Sequence, residues 1–399
     1  MSNISAPQRA NDMTAPFNPP LGLYIHLPWC ERKCPYCDFN SHALSGPVPE
    51  ADYVAALEAD LGLEADRAGG RRIESVFIGG GTPSLFSGKA IGSVLEAVDR
   101  RIGLAQSAEI TLEANPGSAE AARFRDFRQV GVNRLSIGVQ SFNDQQLQAI
   151  GRIHSAEQAR KAVDAARAAG IERLNLDLMY GLPAQSPEAA VADLEAALAL
   201  APDHLSHYEL TLEPNTVFHS QPPALPDEDQ RWDMLQACSE RMKSAGLERY
   251  EISAWARPGS ACRHNLNYWQ FGDYLAIGAG AHGKVSDGHE IWRYRKHRVP
   301  QRFMSLTAGA GAEVSRHALS TDNRLFEFML NALRLVDGFS LELFRERTGL
   351  DPDLARPGLR SLAADGLMET DASGEHWRPS ERGLDLLNEC QARFLPKGT

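Results

Sequence analysis

Three of the chain's six cysteines, Cys30, Cys34 and Cys37, fall within the eight residues CERKCPYC. Thiolates so closely spaced hold metal or exchange electrons, and the chemistry depends on what completes the set. A closed structural zinc site takes four protein ligands, so His26, His42 or a distant residue would have to join them. A redox pair uses Cys-x-x-Cys beside a thioredoxin-like unit and leaves Cys30 without a role. An iron-sulfur cluster normally takes four thiolates, and three leave one iron open for another ligand. Cys238, Cys262 and Cys390 stand singly and read as buried small residues.

The cluster of cysteines follows directly on the first of six β-rich runs: LGLYIHLP, IESVFIGGG, AEITLEAN, RLSIGVQS, RLNLDLMYGL and HLSHYELT. Each is trailed by an Ala-rich, helix-favouring segment. Alternating strand and helix predicts a parallel sheet, and nearly unbroken apolar runs predict strands covered on both faces. Six such units overfill a small open sheet and fall short of an eight-stranded barrel. The expected fold class is therefore α/β, a partial (β/α)6 TIM-like barrel over residues 21–246. Polar residues collect where the runs end: His26, Gly79 to Thr82, Glu113 with Asn115, Gln140, Asp177, and Tyr208 with Glu209. That rim is where barrels build their sites, and the cysteines open onto it.

Residues 1–20 read as a flexible tail with no apolar signal core, and no apolar run approaches the roughly 18 residues needed to cross a bilayer. The expectation is a cytoplasmic protein without an integral membrane segment. A net charge of −11 argues against bulk nucleic-acid binding, which needs Lys and Arg to displace phosphate counterions, so any anion site must be local. Residues 247–319 form an extension rich in aromatics and glycine. Residues 320–399 turn helical, then resemble a hairpin and a final helix, the order of a small winged-helix-like α+β domain. That segment holds ten Lys or Arg against fourteen Asp or Glu, so packing against the barrel is expected in place of DNA binding.

CERKCPYC, with an aromatic before its last cysteine, and IGGGTP at residues 78–83 resemble the radical S-adenosylmethionine superfamily. YIHLPWCERKCPYCDFNS, FIGGGTPS, EANP, RLSIGVQSF, the later Arg152 and NLDLMYGLP are together similar to the anaerobic coproporphyrinogen oxidase branch and its haem-chaperone relatives, the HemW group. The resemblance runs over nearly the whole chain. It implies a 4Fe-4S cluster on Cys30, Cys34 and Cys37, with S-adenosylmethionine on the remaining iron. Contacts to that cofactor would come from Tyr24, Gly80, Gly81, Thr82, Glu113, Gln140, Arg152 and Asp177. Two departures separate the chain from the oxidases: Phe39 stands where they carry a further cysteine, and only about twenty residues precede the first strand. RHNLNYW, residues 263–269, matches the chaperones' H-N-x-x-Y-W motif. It implies haem as a further cofactor, with His264 as axial ligand and Asn265, Tyr268 and Trp269 around it, in a pocket close to the barrel mouth. No C-x-x-C-H is present for covalent attachment. The implied function is haem delivery to acceptor haemoproteins, respiratory enzymes among them. The alternative is an oxygen-independent coproporphyrinogen III dehydrogenase, a radical decarboxylase. A third class, RNA modification, rests on the basic run WRYRKHRVPQRF, whose guanidinium groups also suit porphyrin propionates.

Overall fold

In the computed structural model, which describes residues 18–117, 121–288, 290–309 and 311–396, all six expected strands form. They are β1 (Leu21–Leu27), β2 (Ile73–Gly80), β3 (Leu104–Ala114), β4 (Arg134–Gln140), β5 (Arg173–Tyr180) and β6 (His204–Glu209). Each pairs in parallel with the next. In β1 every residue but Tyr24 is buried, which is what its apolar run demands. The crossover helices include α1 (Glu50–Glu64), α2 (Gly88–Arg101), α3 (Ala156–Ala168) and α4 (Pro187–Leu198). Ser87, Ser155 and Ser186 each accept a backbone N–H at a helix start, fixing where the chain turns from sheet to helix.

The sheet does not end with the sixth unit. β7 (Glu248–Glu251) and β8 (Ala254–Ala256) form an antiparallel hairpin on β6. On the other side of β1 lies β9 (Asp273–Ile277), a seventh parallel strand. It is followed by antiparallel β10 (His282–Asp287), β11 (Glu290–Lys296) and β12 (Glu313–Ala318). The result is one 12-stranded sheet in the order β12-β11-β10-β9-β1-β2-β3-β4-β5-β6-β8-β7. The extension thus supplies both flanks of the barrel. Between β8 and β9 the chain makes one short helix, α5 (Arg263–Trp269), which carries the RHNLNYW run.

Two cations of the basic run, Arg293 and Lys296, are consumed by folding. Lys296 is buried between Asp60 and Glu64 of α1, at 2.6 Å from each. Arg293 holds Glu327 at 2.5 Å and also reaches the Tyr274 hydroxyl. Arg295, Arg298 and Arg302 remain exposed. Beyond β12 come α6 (Thr321–Ala332), β13 (Phe339–Ser340), α7 (Leu341–Thr348), α8 (Arg356–Ala364), β14 (Met368–Thr370) and β15 (His376–Pro379). This is the element order of a winged helix, with its three strands paired as β13-β15-β14. Its core of Phe328, Phe339 and Phe344 continues into Phe271 and Ile291 of the extension, so the domain is packed against the sheet as its composition leads one to expect.

Candidate functional site

At the C-terminal ends of the parallel strands a cavity of about 590 Å³ opens, and Cys30, Cys34 and Cys37 line it together. None of the three is in a disulfide. Cys30 is buried behind the glycine turn, whereas Cys34 and Cys37 are half-buried. Burial pushes the Cys30 and Cys37 thiols up, with hydrogen bonds from Thr82 and Ser41 respectively opposing it. Among the described residues no three His, Cys, Asp or Glu side chains converge as ligands of a single ion would. The thiols instead share a cavity wall.

Glycine is required in the turn after β2. A Cβ on Gly81 would lie 2.5 Å from the Trp29 carbonyl oxygen, and Gly80 has φ of 119° with the His26 ring 2.5 Å from its missing Cβ. The N–H groups here are already used: Gly80 donates to Glu113 Oε2 (3.1 Å), Gly81 to the Leu27 carbonyl (2.8 Å) and Thr82 to the Trp29 carbonyl (2.7 Å). This stitches the cysteine loop to the turn. Thr82 Oγ1 in turn accepts from Asn115 Nδ2 at 3.0 Å.

The Arg152 guanidinium bridges the mouth. Its Nη2 donates to Asn115 Oδ1 and the Gly138 carbonyl, both at 2.7 Å, and its Nη1 lies 3.7 Å from Cys34 Sγ. Gln140 takes the left-handed region at φ 70°, rare for a non-glycine residue, and its Oε1 accepts from the Tyr208 hydroxyl at 2.8 Å. Glu113 is pushed up to about 8, first by desolvation and then by the nearby Asp177. Asp177 is raised as well, again mainly by burial, and accepts from Asn175 (2.7 Å) and Ser136 (3.2 Å). It sits inside the barrel, three residues before β5 ends, not on the lip.

Tyr24 is the one expected contact that faces elsewhere. It lines a smaller neighbouring cavity of about 310 Å³ shared with Gly80 and Glu113. Its hydroxyl donates to His26 Nδ1 (2.9 Å), because the Nε2–H of that neutral ring donates to the Asn40 carbonyl (2.9 Å).

The RHNLNYW helix α5 lies at the other end of the barrel. The backbone N–H of Arg263 donates to Glu109 on β3, and His264 Nδ1 pairs with the Ser75 hydroxyl, third residue of β2, at 2.9 Å. His264 is 1 % exposed, stacked on Phe77 and edge-on to Tyr268, with Nε2 buried and unpartnered. The expected position near the mouth is therefore not where the imidazole lies. Burial, with Arg134 adding to it, lowers His264 to about 3 and keeps the ring neutral. Tyr268 packs against His264 and Tyr274. Asn265 and Trp269 do line the same cavity as the cysteines, and the Arg334 guanidinium covers the Trp269 ring at 4.3 Å. Sequence reasoning does not single out Arg134, Ser136, Asn175, Ser206 or Arg334, all of which also line it.

Comparison with known proteins decides the family. The Radical SAM superfamily profile matches residues 24–197, and the HemN C-terminal domain profile matches residues 319–386. The chain is 50 % identical over 379 residues to the heme chaperone HemW of Escherichia coli, covering 94 % of this chain and 98 % of that one. The chain belongs to the HemW family. The Haemophilus influenzae HemW is 44 % identical, covering 94 % of this chain and 98 % of its own length. A mitochondrial mouse relative, radical S-adenosyl methionine domain-containing protein 1, is 38 % identical across 91 % of this chain and 77 % of its own. The solved coproporphyrinogen III oxidase HemN of Escherichia coli superposes with a TM-score of 0.80 at 24 % identity, over 94 % of this chain and 90 % of that one, and shares the fold.

Radical SAM membership implies a 4Fe-4S cluster and S-adenosylmethionine, and the residues present fit them. Three unbridged cysteines on one wall, two with thiols that burial would keep protonated, are ligands that a bound iron converts to thiolates. In this HemW-family chain no helix among the described residues is long and apolar enough to cross a membrane.

Proposed function

We propose that the chain binds haem and passes it to acceptor haemoproteins, carrying a 4Fe-4S cluster and S-adenosylmethionine. The observation that carries this reading is a single cavity lined both by the three cysteines and by Asn265 and Trp269 of the haem motif. Cys30, Cys34 and Cys37 would hold the cluster, which when reduced would supply an electron to the sulfonium of a bound S-adenosylmethionine. With the N–H groups of Gly80, Gly81 and Thr82 engaged, this turn offers a ligand ammonium its carbonyl oxygens and the close approach that glycine permits. Arg152, whose Nη2 is engaged by Asn115 and Gly138, offers a carboxylate its charge and the remaining Nη1 donor. Glu113, largely protonated at neutral pH, both donates and accepts, which suits ribose hydroxyls. Gln140 and Asp177 complete that wall, and Tyr24 acts from behind Glu113.

At the floor, His264 provides the iron ligand. With Nδ1–H donated to Ser75 its Nε2 lone pair is free, as ligation requires, and Tyr268 has to swing aside to admit the iron. Trp269 and Asn265 then meet the porphyrin face and edge. The partners are haem and haem-accepting proteins, with respiratory enzymes a candidate class, in the cytoplasm. The test is anaerobic cluster reconstitution followed by haem titration with and without S-adenosylmethionine, and transfer to an apo-haemoprotein. One haem bound and released to the acceptor is expected. Multiple turnovers of coproporphyrinogen decarboxylation would instead establish the dehydrogenase.

A further inference from the structure

One buried cation in the cavity has no partner. Arg134 is 2 % exposed and lines the cavity, yet its guanidinium makes no hydrogen bond and no ion pair among the described residues. A charge removed from water normally demands a hydrogen-bonded counter-ion. The carboxylates that face Arg134 form no ion pair with it: Glu109 accepts from the Arg263 N–H through Oε1, while its Oε2, 3.0 Å from Arg173 Nη1, is buried without a hydrogen bond, and Asp177 is held by Asn175 and Ser136. The Cys262 thiol donates to Glu109 (3.4 Å), and the Tyr250 hydroxyl pairs with His204 (2.9 Å).

The position of Arg134 separates it from Arg152. Arg134, Ser136, Gly138 and Gln140 alternate down one face of β4, and all four line the cavity. Arg152 is anchored at Gly138. The Cα of Arg134 lies four residues lower, roughly 13 Å along the strand at ~3.3 Å per residue. A carboxylate bound at the mouth does not serve both guanidinium groups. The cavity lining also includes Glu251, Asn265, Trp269 and Arg334, from the β7–β8 hairpin, α5 and the C-terminal domain, with Arg334 paired to Glu251 at 3.0 Å.

We propose that Arg134 is the anchor for a propionate of the tetrapyrrole, in a carboxylate site at the barrel floor distinct from the cofactor site at the mouth. The proposal rests on the haem-binding reading above. An Arg fork matches a carboxylate in geometry as well as charge, and Arg134 is free to supply it, whereas Arg334 beside Trp269 is already paired with Glu251 at 3.0 Å.

The test compares haem with haem dimethyl ester, whose propionates carry no charge, on cluster-loaded wild type, Arg134→Gln and Arg134→Lys. Wild type is expected to prefer haem over the ester by roughly tenfold or more, the worth of a charge-assisted pair. Arg134→Gln should abolish that preference while leaving ester affinity unchanged, and Arg134→Lys should keep part of it. Iron content and thermal midpoint report folding of each variant. Should Arg134→Gln fail to fold, the wild-type ratio and the Lys variant decide, and a ratio near one overturns the proposal. An undiminished preference in Arg134→Gln overturns it while leaving haem binding standing. Weakened S-adenosylmethionine binding with the preference intact would assign Arg134 to the other ligand and also overturn it. No binding of haem or ester by wild type would remove the haem reading and this site with it.

Discussion

The two ends of the cavity are built in opposite ways. At the mouth, the three cysteines and the glycine turn come from two short stretches, residues 27–37 and 79–82, tied together by backbone hydrogen bonds from Gly81 to Leu27 and Thr82 to Trp29. At the floor, Arg134 and Asn175 on the cavity wall and His264, Ser75, His204 and Tyr250 outside its lining come from five strands and one helix, and all but Arg134 are paired side chain to side chain. There His204 bridges Asn175 (2.6 Å) and Tyr250 (2.9 Å), and Asn175 reaches Asp177. The mouth presents two half-buried thiols beside the buried Cys30, whereas the floor is buried and polar. A mouth assembled from local segments tolerates loss of its ligand without loss of fold. A floor of interlocked buried polar groups does not, because removing one partner strands another.

The sharpest break in that comparison is at the cysteines. Replacing Cys30, Cys34 or Cys37 by Ala should abolish cluster iron and its visible absorbance after anaerobic reconstitution, yet leave the thermal midpoint of the cluster-free protein nearly unmoved. Cluster loss on replacing Cys238, Cys262 or Cys390 instead would reassign the ligands. Next, Asn175→Ala strips one donor each from Asp177 and Ser136 and an acceptor from His204, in a largely buried network. It should lower unfolding free energy by about 2–4 kcal/mol in urea titration, with cluster loading affected only through folding. Gly81→Ala drives a Cβ into the Trp29 carbonyl and should cost about 1–3 kcal/mol together with lower iron occupancy, a mouth variant that does disturb the fold.

A further effect, of similar size, is a pH dependence. Glu113 titrates near 8 when folded and near the ordinary carboxyl value when unfolded, so the folded state binds the extra proton between those limits. Its contribution is fully present below the unfolded value and is lost as pH rises through about 8. Cluster-free wild type should therefore lose stability from pH 6 to pH 9 relative to Glu113→Gln by about 2 kcal/mol, less than the full shift because the cavity meets water. Parallel curves for the two proteins would show that Glu113 ionises normally.

The same contrast explains what the sequence discloses. The cysteines, GGGTP and the six apolar strands are legible because their signals are contiguous and periodic. β9 is not, since DYLAI is five residues in a glycine-rich, aromatic stretch and gains its strand character only by pairing with β1. The burial of His264 is also invisible, because the depth of a motif depends on where its helix plugs the sheet. Arg134 does leave a trace: it opens an apolar run in phase with Ser136 and Gln140, so period two places it on the inward face. The basic run misleads in the opposite sense, since Arg293 and Lys296 meet acids remote in sequence, Glu327, Asp60 and Glu64.

The central claim, that the floor of this cavity receives haem, is tested most directly by a Soret titration of cluster-loaded wild type and His264→Ala with haem under anaerobic conditions. The account predicts saturable binding of one haem per wild-type chain, and a shifted Soret band with weaker affinity in the variant at unchanged iron content. An identical spectrum and affinity in the two proteins would contradict it and leave His264 a packing residue between Phe77 and Tyr268.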